Sequence, residues 1–191
     1  MNFRSITLFA AAILLSTGAL AQSTANTRRQ AQQDRIANGV DSGQLTSGET
    51  KSLENKQSNL NREIRTDRQA NGGKLTSQQR NQVNHQENHL SKQIYADKHN
   101  ASAAKYGTGE VGQRRVNQQD RIANGIRSGN LKPGEAAHME NREQGINQQV
   151  RTDRQANGGK LTAQQDKQVN RAQNRTSKAI NRDKHNGAQG Y

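Results

Sequence analysis

The sequence predicts an all-α protein built as two tandem three-helix hairpin units from an internal duplication, loosely packed and partly flexible. Three observations predict it. Residues 32–100 align with residues 118–186 at a constant offset of 86, and 41 of the 69 positions are identical. Large apolar side chains recur at separations of seven and four, as in Leu53, Leu60 and Ile64, then Val83, Leu90 and Ile94. That spacing keeps them on one stripe of a helix. Glycine-bearing joints separate the stripes, and Arg65 to Thr76 returns unchanged as Arg151 to Thr162.

The chain reads in order as follows. Arg4, the apolar run Ile6 to Leu15 and the small-residue site Ala19-Leu20-Ala21 read as a secretory signal peptide, residues 1–21, with Gln22 starting the mature chain. The first helical repeat unit spans 22–100, a hinge 101–112, the second unit 113–186 and a flexible tail 187–191. Helices are expected near 24–38, 47–71, 77–98, 110–124, 133–157 and 163–184. Asn38-Gly39 and Asn71-Gly72-Gly73 supply residues that tolerate positive φ, as a helix stop needs. Thr46 with Glu49 and Thr76 with Gln79 have the spacing of capping boxes. In the second unit Met139, Ile146 and Val150 repeat the seven-four spacing, and so do Val169, Thr176 and Ile180 with one polar replacement. Lys132 stands where Thr46 caps the first unit, and Pro133 suits the first turn of the helix that follows.

Composition narrows the function. There is no cysteine, so an exported chain of this kind has no disulfide to hold it. After residue 21 the only large apolar residues are Leu, Ile, Val, one Met and three Tyr, which supports open hairpins better than a deep-cored globule. The formal charge of +13 is spread along the chain and favours anionic partners: an anionic polymer, a lipid headgroup or an acidic client protein. Tyr95, Tyr106 and Tyr191 are too scattered for base stacking, so no specific nucleic-acid partner is expected. No transmembrane segment is expected either, and localisation is periplasmic or extracellular.

Catalytic motifs are missing. The sequence has no nucleophilic Cys, no G-x-S-x-G elbow, no H-E-x-x-H and no phosphate-binding glycine loop, so no enzyme activity and no cofactor are expected. His85 and His89 lie four apart and share a helical face, the speculative metal pair of the sequence. The residues expected to carry binding are the repeated basic ones: Arg65, Arg68, Lys74 and Lys92, with Arg151, Arg154, Lys160 and Lys178.

Leu75-Thr76-Ser77-Gln78-Gln79 and Leu161-Thr162-Ala163-Gln164-Gln165 both fit the pattern LTxxQ. With the export signal and the helical hairpins, the chain here resembles the Spy/CpxP family of exported stress chaperones. The resemblance implies a small all-helical fold, antiparallel dimers and a cupped basic face that holds unfolded clients; some relatives bind metal. A homodimer is therefore among the expected assemblies. The long duplication departs from that family's pattern, and residues 22–191 lack the Phe and Trp that apolar client contact would use. The expected function is that of an exported, non-enzymatic helical repeat protein binding anionic envelope components or proteins through a broad basic surface. The alternatives are a periplasmic chaperone of this family and a low-affinity metal-binding protein.

Overall fold

The computed structural model describes residues 16–107 and 109–186, with side chains from residue 26 onward. The expected signal-peptide n-region and apolar core, and the expected tail, lie outside the described residues. Six helices fill the described chain: α1 (Ser16–Asp41), α2 (Ser47–Ala70), α3 (Ser77–Lys98), α4 (Glu110–Arg127), α5 (Pro133–Ala156) and α6 (Ala163–Lys184). No strand occurs among the described residues, so the chain is all-α as its apolar spacing predicts.

The helix starts follow from side-chain chemistry. At Thr46 the backbone N–H donates to Glu49 Oε2 at 2.8 Å, and Glu49 N–H donates to Thr46 Oγ1 at 3.3 Å. Thr76 with Gln79 and Thr162 with Gln165 close the same reciprocal box. Each satisfies two amide groups that a helix N-terminus leaves unpaired. The LTxxQ motifs are thereby given a structural role. At Lys132 only half of this device survives: Lys132 N–H donates to Glu135 Oε2 at 2.9 Å, and Pro133 follows as the first helical residue.

The α2–α3 corner is tied off by its own polar residues. Gly72 and Gly73 adopt φ of +63° and +88°, which side chains with a Cβ resist. Asn71 Nδ2 donates both to Asp67 O at 2.7 Å and to Gln79 Oε1 at 2.9 Å, joining the end of α2 to the start of α3. Asn157 and Gln165 repeat the bond at 2.8 Å between α5 and α6.

One expectation is corrected. Asn38-Gly39 and Asn124-Gly125 do not stop their helices; α1 runs to Asp41 and α4 to Arg127. The positive-φ residues are Gly43 and Gly129. Gly39 serves packing: Leu45 folds back on it, donating its N–H to Gly39 O at 2.9 Å. A Cβ built at Gly39 would lie 2.6 Å from Leu45 Cδ1, and one at Gly125 would lie 2.6 Å from Leu131 Cδ1. These glycines therefore make room for a core leucine where the sequence suggested a chain reversal.

The two units share one core. Ile36, Val40, Leu45, Leu53, Leu90 and Ile94 from the first pack in one buried cluster with Ile122, Ile126, Leu131, Met139 and Ile180 from the second. α2 lies along α5 in the antiparallel sense: Ser58 lies against Gly134, and Lys51 Nζ donates to Asn141 Oδ1 at 2.7 Å. Consequently the C-terminal half of each helix leaves the shared core in opposite directions. Each half makes an arm with the following helix. Leu60, Ile64 and Val83 fill one arm, and Val111, Ile146, Val150 and Val169 fill the other. The segment expected as a hinge is anchored to the bundle, since Ala104 N–H donates to Gly43 O at 2.9 Å and Tyr106 lies under the Arg115 guanidinium at 5.0 Å.

Two glycine substitutions separate these roles. Gly39→Ala should cost about 1–3 kcal/mol by overpacking, while Gly145→Ala should stabilise by about 0.5–1 kcal/mol, because nothing lies within 4 Å of a Cβ at Gly145. Urea denaturation of both variants measures the pair; equal effects would refute the packing role of Gly39.

Candidate functional site

The shared core is unusually polar inside. Glu54 and Glu140, which stand 86 residues apart, are both fully buried on the facing helices α2 and α5. Gln33 Nε2 donates to Glu54 Oε2 at 3.3 Å, and Gln119 Nε2 donates to Glu140 Oε2 at 3.2 Å. Other bonds also recur at this offset. Gln32 Nε2 donates to Glu87 O at 2.9 Å, and Gln118 Nε2 donates to Gln173 O at 2.8 Å. The amide network thus fixes how α1 seats on α3 and how α4 seats on α6.

Burial dominates the acidity of these carboxyls. Desolvation pushes Glu54 up to about 8, opposed by the Gln33 hydrogen bond and reinforced by Glu140. Desolvation likewise pushes Glu140 up to about 8, with Ser47 and Gln119 hydrogen bonds opposing it. Glu143 rises to about 7 for the same reason, opposed mainly by Arg115, whose Nε lies 3.7 Å from Glu143 Oε2. Arg115 is in turn pulled below its ordinary value by burial. Glu54 Oε1, Glu140 Oε1, Gln57 Oε1 and Gln119 Oε1 are buried without a protein donor. A protonated carboxyl is both a donor and an acceptor, so neutral glutamic acids suit a core over-supplied with acceptors.

The repeated basic residues lie outside this core. Arg65 and Lys74 are exposed and Arg68 half-buried at the α2–α3 corner; Arg151, Arg154 and Lys160 stand likewise at the α5–α6 corner. Because α2 and α5 run antiparallel, the two basic corners are at opposite ends of the molecule. Lys92 and Lys178 are exposed farther along α3 and α6. The structure therefore assembles two triads and leaves Lys92 and Lys178 apart from them. His85 and His89 are both exposed on α3, and no group of three or more metal-ligating side chains that could hold an ion occurs among the described residues.

Each arm also carries a groove between its two helices. The α5–α6 groove, of about 410 Å³, has Ile146, Val169 and Ala172 on its floor and Arg142 and Arg175 among its polar groups. No acidic side chain lines it. The α2–α3 groove, of about 320 Å³, has the equivalent position in the first unit, with Lys56, Glu63 and His89 as its charged or titratable groups. There Gln82 and Gln86 on α3 donate to Glu63 on α2, at 2.9 Å and 3.1–3.2 Å, and Lys56 Nζ donates to Gln93 Oε1. The second unit has Gln149, Ala172 and Ala179 where the first has Glu63, Gln86 and Gln93.

Neither the buried carboxyls nor the grooves were anticipated. Glu54 and Glu140 had a readable signal, since each directly follows a core residue, Leu53 or Met139, and is retained at the offset of 86. The loss of bridges across the second groove could have been found from the replacement of Glu63, Gln86 and Gln93 by Gln149, Ala172 and Ala179. No family model, curated protein or solved structure matches this chain.

The raised acidities set the sign of the pH dependence. Folded-state values above the unfolded value of 4.5 mean that the folded chain holds protons that the unfolded chain releases. The stabilising contribution of Glu54 and Glu140 is complete below about 4.5 and is lost as pH rises through about 8. Thermal melts should show stability falling over that window. Glu54→Gln and Glu140→Gln should flatten the profile and stabilise the protein above pH 8 by on the order of a few kcal/mol. A wild-type stability that climbs with pH would contradict the neutral pair.

Proposed function

We infer that this protein is a non-enzymatic binding protein for anionic partners, exported by its N-terminal signal and engaging polymers, headgroups or acidic protein surfaces through its basic exterior. The observation that carries the reading is the segregation of charge. Among the described residues Glu54, Glu87, Glu140, Glu143 and Asp183 are buried, whereas the buried cations are Arg29 and Arg115. With 29 Lys and Arg against 16 Asp and Glu, this leaves the surface with a larger basic excess than composition alone indicates. Protonation of Glu54 and Glu140 at neutral pH raises the charge further above the formal +13.

The placement of charge supports extended rather than point-like recognition. Two basic corners at opposite ends can engage one long polyanion simultaneously, so that binding at one raises the effective concentration at the other. Tyr95, 64% exposed, is the one large exposed apolar side chain among the described residues. Recognition led by charge therefore fits this surface better than recognition led by apolar contact.

Dextran sulfate is a suitable probe. Binding should weaken steeply as salt rises, because exposed charges are screened beyond about 8–10 Å at physiological ionic strength. Replacing Arg65, Arg68 and Lys74 together with Arg151, Arg154 and Lys160 by Gln should lower affinity about tenfold or more, since each exposed charge contact is worth roughly 0.2–1 kcal/mol. Replacing one triad should cost less than half of that loss in free energy if the other corner retains the polymer. Salt-independent binding, or affinity unchanged in the sixfold variant, would exclude this function.

A further inference from the structure

We propose that the α5–α6 groove is a binding site for a small single-chain amphiphile with an anionic head, a carboxylate or a phosphate, on a short alkyl chain. The site is separate from the basic corners, and the first unit supplies an internal control.

All seven side chains that line the α2–α3 groove have their counterparts, 86 residues on, among those that line the α5–α6 groove. The backbone frame is the same; the chemistry is not. In the first unit the groove is bridged. Gln82 and Gln86 reach Glu63 from the opposite helix, and Lys56 reaches Gln93. Those contacts give the one lining acid two amide donors and link the two rims.

In the second unit every one of these bridges has lost a partner. Ala172 replaces Gln86 and Ala179 replaces Gln93, while Gln149, in place of Glu63, donates to Asp153 on its own helix at 3.1 Å. Gly145 stands where Asn59 was, and no atom lies within 4 Å of a Cβ placed there, so the rim is open at that point. The groove's apolar floor is formed by Ile146 and Val169, both largely buried in the core of the arm, and by the partly exposed Ala172 packed against them. His89 has become Arg175 and Lys56 has become Arg142. The groove therefore has an arginine on each of its two helices and no carboxylate among its lining residues.

An apolar floor under two guanidinium groups selects its occupant. A neutral apolar molecule would leave the arginines without counter-charge. A small inorganic anion would leave the floor wet. An amphiphilic anion answers both, with its head between the forked donors of Arg142 and Arg175 and its chain over Ile146 and Val169. Arg175 makes no hydrogen bond or ion pair within the described residues, and Arg142 Nε spends a bond on His138 Nε2 at 3.2 Å, a contact at the surface. At ~30 Å³ per water-sized group, the volume suits a molecule of about a dozen heavy atoms.

Decanoate below its self-association concentration is the probe, followed by isothermal titration calorimetry on the full chain. Wild type should bind one decanoate per chain with a negative heat-capacity change, the mark of apolar burial. Acetate should give no detectable heat, and neutral decyl glucoside should bind about tenfold more weakly, as should the Arg142→Gln, Arg175→Gln double variant. The Gly145→Asn, Ala172→Gln variant, which restores the first unit's side chains, should lose decanoate binding while its melting temperature and its affinity for dextran sulfate stay as in wild type. Failure of decanoate to bind would overturn the proposal and leave the basic-corner function standing. Binding that survives both double variants, or that acetate matches, would overturn it as well.

Discussion

Everything else in this structure depends on the antiparallel contact of α2 with α5. Each unit alone offers a narrow apolar seam, about one large side chain every two turns, and such a seam cannot by itself bury a helix on more than one side. Laying α2 along α5 and α1 against α4 pools the two seams. Leu53, Met139, Ile36 and Ile122 then lie in one cluster with essentially no exposure. The fold thus joins the two halves of the chain around one shared interface. This explains why the central parts of the helices are apolar and buried while the ends diverge into thinner arms with only a few core residues each.

The interface brings two equivalent glutamates into the interior, and the surrounding residues treat them alike. Gln33 and Gln119 make the same hydrogen bond to Glu54 and Glu140, at 3.3 Å and 3.2 Å. A buried ionised carboxylate without a counter-charge would cost several kcal/mol; a protonated one held by amides does not. The consequence runs outward to function. Neutral acids inside and basic side chains outside increase the positive field that any anionic partner meets.

Much of the architecture was legible in the sequence because its signals are local. The Thr76–Gln79 box, the Asn71-Gly72-Gly73 break and the seven-four spacing of Leu53, Leu60 and Ile64 each act within a turn or two of the chain, and the helices at those places start and end within a residue or so of expectation. The signals that failed were those whose meaning is tertiary. Asn38-Gly39 looks like Asn71-Gly72, but Gly39 is occupied by Leu45 packing against it, which no local rule reveals. The pairing of α2 with α5 was equally hidden, since either unit's seam could have closed on itself. The basic corners were found as residues but not as opposite ends of one body.

Divergence between the two halves carries the rest of the information. Positions that hold the shared core stay alike, as Ile36 and Ile122 or Glu54 and Glu140, because both halves meet at the same interface. Positions that line the arms are free to differ, and Gln149, Ala172 and Ala179 remove the side-chain bridges that cross the first unit's groove. The central claim is that the halves are joined around a neutral carboxyl pair, and its most direct test is a carbon-13 NMR titration of the side-chain carboxyls of Glu54 and Glu140. The account predicts that both resonances titrate near pH 8 in the folded protein. Titration of both near the unburied value of 4.5 would contradict it.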